Sequence, residues 1–178
     1  MALCFITGNK NKFLEVKEII GDVEQLEMDL PELQSLDSRE IITAKLKEAL
    51  KHHKGPCIVE DTSLSLFALN GFPGPFIKWF MESLGLEGIS SLVSRLQNPL
   101  AKATTVIGYA ASPAEIHFFE GSIDGEIVQP QGDKKFGWDP IFKPKGCQMT
   151  FAQMTQSEKN DISMRREALK KLKGFLEA

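Results

Sequence analysis

The run Thr7-Gly8-Asn9-Lys10-Asn11-Lys12 puts a glycine, two amide side chains and two lysines into six consecutive positions. Glycine lets backbone approach a ligand closely. A helix starting just after it would aim N–H groups and a partial positive charge at that ligand. With the charges of Lys10 and Lys12 added, an anion such as a polyphosphate matches this stretch. A strand-to-helix turn with solvated lysines explains the same residues. The GxxxxGK[ST] phosphate loop is absent. Glu32, Glu60 and Asp61 supply carboxylates. Cleaving a phosphoanhydride needs negative charge neutralised, which favours a hard cation with oxygen ligands. It also needs a water oriented or deprotonated for attack on phosphorus. These carboxylates could serve both purposes. Taken singly, Glu32 also reads as a solvated loop charge, and Asp61 as the cap of a turn with Thr62 and Ser63.

Lys45 falls beside Leu46, at the edge of an apolar stripe. Lys159 and Arg165 flank Ile162 on what reads as one final helix, about 9 Å apart along its axis at ~1.5 Å per residue. Arg165 lies within the stripe, so its charge must snorkel, pair, or meet an anionic or polar ligand. Phe136-Gly137-Trp138-Asp139-Pro140 combines two aromatics around a glycine with an acid. Such a block can stack on a flat base while Asp139 accepts from ring N–H groups. An aromatic plug at a turn is the alternative.

The elements that must hold these residues alternate in type. Ala2 to Ile6 reads as a buried strand, followed by a helix with Phe13, Val16 and Ile20 on one face and Gly21 as its cap. Leu26, Met28 and Leu30 alternate like a second strand, stopped by Pro31. Asp37 and Glu40 resemble a capping box for a helix carrying Ile42, Leu46 and Ala49. Cys57 to Val59 reads as a third strand, stopped by Glu60-Asp61-Thr62. Three polar clusters thus sit just past predicted strand ends, where open α/β sheets bind ligands. A rigid loop spans Gly71 to Pro75, with helices expected over 76–83 and 87–96. Strands are expected over 103–111, 115–119 and 126–129, with turns at Ser112-Pro113 and Asp124-Gly125. Thr155 and Glu158 form a capping box for the last helix, with Ile162, Leu169, Leu172 and Leu176 as its stripe. The reading is a mixed β-sheet flanked by helices.

The 178 residues imply one domain over 1–178, with two lobes around a cleft. A net charge of −3 and the lack of a basic stripe argue against a nucleic-acid partner. Cys4, Cys57 and Cys147 are widely spaced and contain no CxxC pair, which fits a reducing, cytoplasmic setting and disfavours zinc. No segment reads as a signal peptide or a membrane span.

Taken in order, Thr7 to Lys12, Asp29-Leu30-Pro31-Glu32, Val59-Glu60-Asp61-Thr62, Gly74-Pro75-Phe76-Ile77-Lys78-Trp79-Phe80, Phe136 to Pro140, Ser157-Glu158-Lys159-Asn160 and Ser163-Met164-Arg165 resemble the inosine triphosphate pyrophosphatase family. The GPFIKWF block points to its eukaryotic branch. The resemblance implies an elongated α/β fold with a nucleotide-binding cleft between two lobes, and a homodimer. It implies hydrolysis of ITP, dITP and XTP to the monophosphate and pyrophosphate with Mg²⁺, or Mn²⁺ in its place. By resemblance, Thr7, Gly8, Asn9, Lys10, Asn11 and Lys12 bind the triphosphate, and Lys45 contacts phosphate. Glu32 helps hold the metal, with Glu60 a further candidate. Asp61 binds metal or activates water, supported by Thr62. Lys78, Lys159 and Phe136, Gly137, Trp138 and Asp139 line the nucleotide site, and Arg165 addresses the base. Asp61, Lys12 and Glu32 form the catalytic set. Met164 stands where the family commonly has histidine, which implies weaker discrimination against ATP or GTP. Two rivals are a septum-formation-inhibitor-type pyrophosphatase for modified pyrimidines and a nucleotide sensor without turnover. The FGWD and SxxR blocks disfavour the first, and Glu32 with Asp61 disfavours the second.

Overall fold

The computed structural model describes residues 2–134 and 136–178. Strand β1 (Leu3–Ile6) leads into helix α1 (Lys10–Ile20), and β2 (Val23–Leu26) into α2 (Ser38–His52). Then follow β3 (Cys57–Leu66), the short β4 (Pro73–Gly74) and α3 (Ile77–Arg95). Strands β5 (Leu100–Ser112), β6 (Glu115–Ile127) and β7 (Phe142–Pro144) precede α4 (Gln156–Ile162) and α5 (Met164–Leu176). The strands form one mixed sheet in the order β2-β1-β3-β5-β6-β7, with β4 on β3. Strand β1 pairs in parallel with β2 and β3, whereas β4 and β7 are antiparallel to their neighbours.

The chain divides into two compact units. The first holds 1–61, 105–121 and 165–178, and the second 62–104 and 122–164. In the first, side-chain alternation sorts the core into two faces. Leu3, Phe5 and Ile58 pack with Val16 of α1 and Leu169 and Leu172 of α5. Cys4, Ile6, Cys57 and Val59 pack with Ile42, Leu46 and Ala49 of α2. The second unit is built around Leu64, Ile77, Ile89, Trp138, Phe142, Phe151 and Met164.

The structure revises several expected boundaries. Strand β2 lies at Val23–Leu26 rather than over 26–30, in parallel register with Leu3 to Ile6 of β1. Strand β3 does not stop at Glu60 but runs on to Leu66. Asp124-Gly125 is no turn and lies inside β6. A Cβ at Gly125 would come within 2.6 Å of the Lys143 carbonyl and of the Phe142 ring, so glycine there lets β7 approach. Helix α3 is broken at Gly85 (φ 67°, ψ 173°), which matches the two helices expected. The expected single last helix is two, because Ser163 is extended (φ −69°, ψ 150°) and ends α4. Lys159 and Arg165 therefore do not share one helical axis. Ile162 is exposed rather than part of the stripe.

Candidate active site

Strand periodicity decides the fates of Glu60 and Asp61. Residues two apart on a strand share a face, so Glu60 follows Ile58 toward α1 and α5, and Asp61 follows Val59 toward α2. On the first side Glu60 meets Arg165 at the start of α5. Arg165 Nε donates to Oε2 at 2.6 Å and Nη2 to Oε1 at 2.9 Å. Lys12 Nζ lies 3.0 Å from the same Oε1. Arg165 Nη1 also donates to Glu15 Oε2. Arg165, Glu15 and Glu60 are 1%, 2% and 6% exposed. Burial alone would push the Glu60 pKa up, but Arg165 and Lys12 outweigh it and hold the carboxyl well below the usual range. Burial likewise opposes the Arg165 charge, and Glu60 and Glu15 override it to raise its pKa.

On the second side Ser38, at the start of α2, donates its hydroxyl to Asp61 Oδ2 at 2.7 Å. Asp37 caps that helix by accepting from the Arg39 amide at 2.8 Å. Lys45, on the same helix, reaches the Glu60 carbonyl at 3.3 Å. Burial lowers its pKa most, Asp61, Glu60 and Glu32 pull it up, and Lys12 pushes it down. One ammonium thus feels four other charged candidates.

The Thr7 to Lys12 segment is a built helix start. Thr7 Oγ1 accepts from the Asn9 amide at 3.1 Å, and Asn9 caps α1 by accepting from the Lys12 amide at 3.1 Å. Gly8, Asn9, Lys10 and Asn11 are exposed, and a Cβ at Gly8 would meet nothing within 4 Å. Glycine at that position is therefore not required by packing.

In the second unit Lys159 Nζ donates to Asp139 Oδ2 at 2.6 Å, with both groups buried. The ammonium also sits 4.1 Å from the Phe136 ring centroid and 5.5 Å from that of Phe151. Trp138 is buried against Phe142 and Phe151, at 5.4 Å and 6.3 Å between centroids. The aromatic block is therefore split. Trp138 is a core plug, Gly137 is exposed in a left-handed conformation (φ 49°), and Phe136 stays half-buried. Lys78 is exposed and lies over the Trp79 ring at 4.8 Å, and Thr62 sits half-buried on β3. Met164 packs inside the apolar cluster.

Three candidates have surroundings that the sequence does not show. The two oxygens of Glu60 meet Arg165 and Lys12. The guanidinium of Arg165 is buried on Glu60 and Glu15. Trp138 is packed in the core of the second unit. Sequence reasoning also missed two residues. Glu15 was detectable as an acid three residues after Lys12 on the apolar side of α1. Ser38 carried no signal apart from following the cap. A cavity of about 470 Å³ in the second unit, lined by Phe67, Leu100, Glu126, Lys143 and Cys147 among others, includes none of the candidates.

Among the described residues, no group of three or more His, Cys, Asp or Glu side chains is arranged to hold a metal ion. No helix among them is long and apolar enough to cross a membrane.

A model of the Ham1 family matches residues 3–175. The chain is 43% identical to an inosine triphosphate pyrophosphatase of Schizosaccharomyces pombe, over 99% of this chain and 96% of that one. It is 44% identical to one of Emericella nidulans, over 97% and 94%. Among solved structures, the Ham1 protein of Staphylococcus aureus superposes with a TM-score of 0.83 at 28% identity, covering 98% of this chain and 97% of that one. A HAM1 protein from Coxiella burnetii gives 0.83 at 26%, covering 99% and 98%.

Proposed function

This chain belongs to the Ham1 family, and on that premise we propose that it removes non-standard purine nucleotides from the nucleotide pool. It is a nucleoside triphosphate pyrophosphohydrolase that converts ITP, dITP and XTP to the monophosphate and pyrophosphate. The observation that carries the reading is the meeting of Lys12, Lys45, Glu60 and Asp61 around β3, with Glu32 within electrostatic range of Lys45.

The start of α1, capped by Asn9 and flanked by Lys10 and Lys12, receives the triphosphate. Lys12 is the solvent-facing member of the buried charge network, with a side chain 25% exposed, and can turn from Glu60 to a phosphate oxygen. Lys45 adds a second cation that is partly desolvated, which strengthens its pull on an anion. Asp61 takes the proton of the attacking water as the anhydride breaks and the electron pair leaves with pyrophosphate. Ser38 fixes one Asp61 oxygen and so orients the other.

Mg²⁺ fits the donor set, because that ion is held by one or two carboxylates while keeping waters and substrate phosphates. Asp61 and Glu32 are the carboxylates that would hold it, with Mn²⁺ a substitute. When bound, it supplies charge neutralisation on the phosphates and polarises the bond that breaks. A cytoplasmic homodimer completes the proposal. The exposed rings of Phe67, Phe72 and Trp79 suit a subunit interface.

Product analysis with ITP and Mg²⁺ tests the reading. IMP with pyrophosphate supports it, IDP with phosphate contradicts it, and binding without turnover favours a sensor.

A further inference from the structure

We propose that Glu15 is a positioning residue for the triphosphate, acting on Lys12 through Arg165 and Glu60. The inference rests on the reading above that Lys12 meets the phosphates.

Glu15 lies on the same helix as Lys12, three residues later, and thus on the same side of α1. Its carboxylate receives Nη1 of Arg165. Arg165 grips both oxygens of Glu60, and Glu60 holds Lys12 at 3.0 Å. The contacts tie three elements together: α1 supplies Glu15 and Lys12, β3 supplies Glu60, and α5 supplies Arg165. These four charges sum to zero. Three are buried, and Lys12 is half-buried.

The arrangement divides the work. Arg165 uses its Nε edge on Glu60, and Nη1 points the other way, to Glu15. A guanidinium is a planar, rigid fork, so fixing one edge fixes the other. Without the Glu15 carboxylate, one edge of a buried cation loses its counter-charge. The fork then shifts toward the remaining anion, Glu60, which draws that carboxylate away from Lys12. Lys12 loses the contact that holds its Nζ in one place, and the flexible stem must be ordered again when an anion binds. The charge of Lys12 survives, but its placement does not.

A double-mutant cycle on Glu15 and Lys12 tests this, read by calorimetric titration with inorganic tripolyphosphate and by KM for ITP, using the whole chain. Glu15→Gln is expected to weaken tripolyphosphate binding and raise KM about tenfold, the worth of one charge-assisted hydrogen bond. The effect on kcat should be smaller, about twofold. In a Lys12→Ala background, the same change should move binding by no more than about twofold. A purely structural Glu15 would weaken both backgrounds equally. That result, or unchanged or tighter binding in Glu15→Gln, overturns the proposal. Should Glu15→Gln not fold, Glu15→Asp keeps the charge and shortens the reach. It should weaken binding in the parent and not in Lys12→Ala, and equal effects again overturn the idea. Tripolyphosphate binding that follows this pattern in a protein unable to make IMP and pyrophosphate would sink the enzymatic reading alone. ITP turnover with additive effects would sink only the role of Glu15.

Discussion

Replacing Glu60 by glutamine keeps the side chain's shape and removes its charge from the middle of the buried network. Glu60 receives Arg165 at 2.6 and 2.9 Å and Lys12 at 3.0 Å. Glutamine retains one acceptor oxygen and turns the other position into a donor facing cations. Removing one partner of a buried ion pair costs about 3–5 kcal/mol, because the charge left behind cannot reach water. Arg165 keeps Glu15 as a partner, which places the expectation at the lower end, about 3 kcal/mol. At ~2–4 °C per kcal/mol for a chain of this length, the thermal midpoint should fall by about 6–12 °C at pH 7.

The pH dependence gives the prediction a second handle. Arg165 and Lys12 hold the Glu60 carboxyl below its usual range despite its burial. A folded pKa below the unfolded one means that the ionised group stabilises the fold fully above the unfolded value of about 4.3. The contribution is then lost as pH falls from there toward the folded pKa. Glutamine does not titrate, so the gap between parent and variant should be widest near neutrality. It should narrow as the pH drops below about 4. Calorimetric melts between pH 7 and 3 measure both features. A gap under about 1 kcal/mol at pH 7, the scale of an exposed pair, would refute the network. So would a gap that stays constant or grows in acid.

Ser38→Ala removes the hydroxyl that donates to Asp61 at 2.7 Å. Losing a hydrogen bond to a charged group is worth about 1.5–3 kcal/mol, so kcat for ITP should fall by roughly 10- to 100-fold with KM little changed. An unchanged kcat would free Asp61 from any dependence on Ser38. Asp139→Asn removes the carboxylate that the buried Lys159 ammonium meets at 2.6 Å. Urea denaturation should register a loss of about 3–5 kcal/mol, and a loss below about 1 kcal/mol would show that water reaches the pair.

The parts of the fold legible in the sequence are those fixed by local chemistry. Gly21 ends α1 with φ 89° as its position implied, and Thr155 with Glu158 closes the capping box. The resemblance read from short blocks between Thr7 and Arg165 agrees with the Ham1 model that matches residues 3–175. What the sequence hid were long-range compensations. Glu60 and Asp61 read as a strand end because charges rarely continue a buried strand. Strand β3 continues because Arg165, distant in sequence, neutralises Glu60 from α5. Gly125 read as a turn glycine because nothing local reveals the backbone that packs over it. Ser163 broke the last helix without a proline or glycine to announce it. Within the site, lysine and carboxylate types were readable, but the pairing of each with the other was not.

Met164 shows how pairing changes a functional argument. The resemblance set Met164 against a family histidine and implied looser selection of the base. That implication requires the side chain at 164 to reach the base. In the structure Met164 is 2% exposed and packs in the cluster of Trp138, Ile141, Phe142 and Phe151. A histidine placed there would bring a polar ring into an apolar cluster, at a cost of about 1–3 kcal/mol unless a partner is found. Met164→His should therefore lower the thermal midpoint while leaving the ratio of kcat/KM for ITP over GTP unchanged. The opposite outcome, a sharper ratio at an unchanged midpoint, would mean that residue 164 turns out of the core to meet the nucleotide.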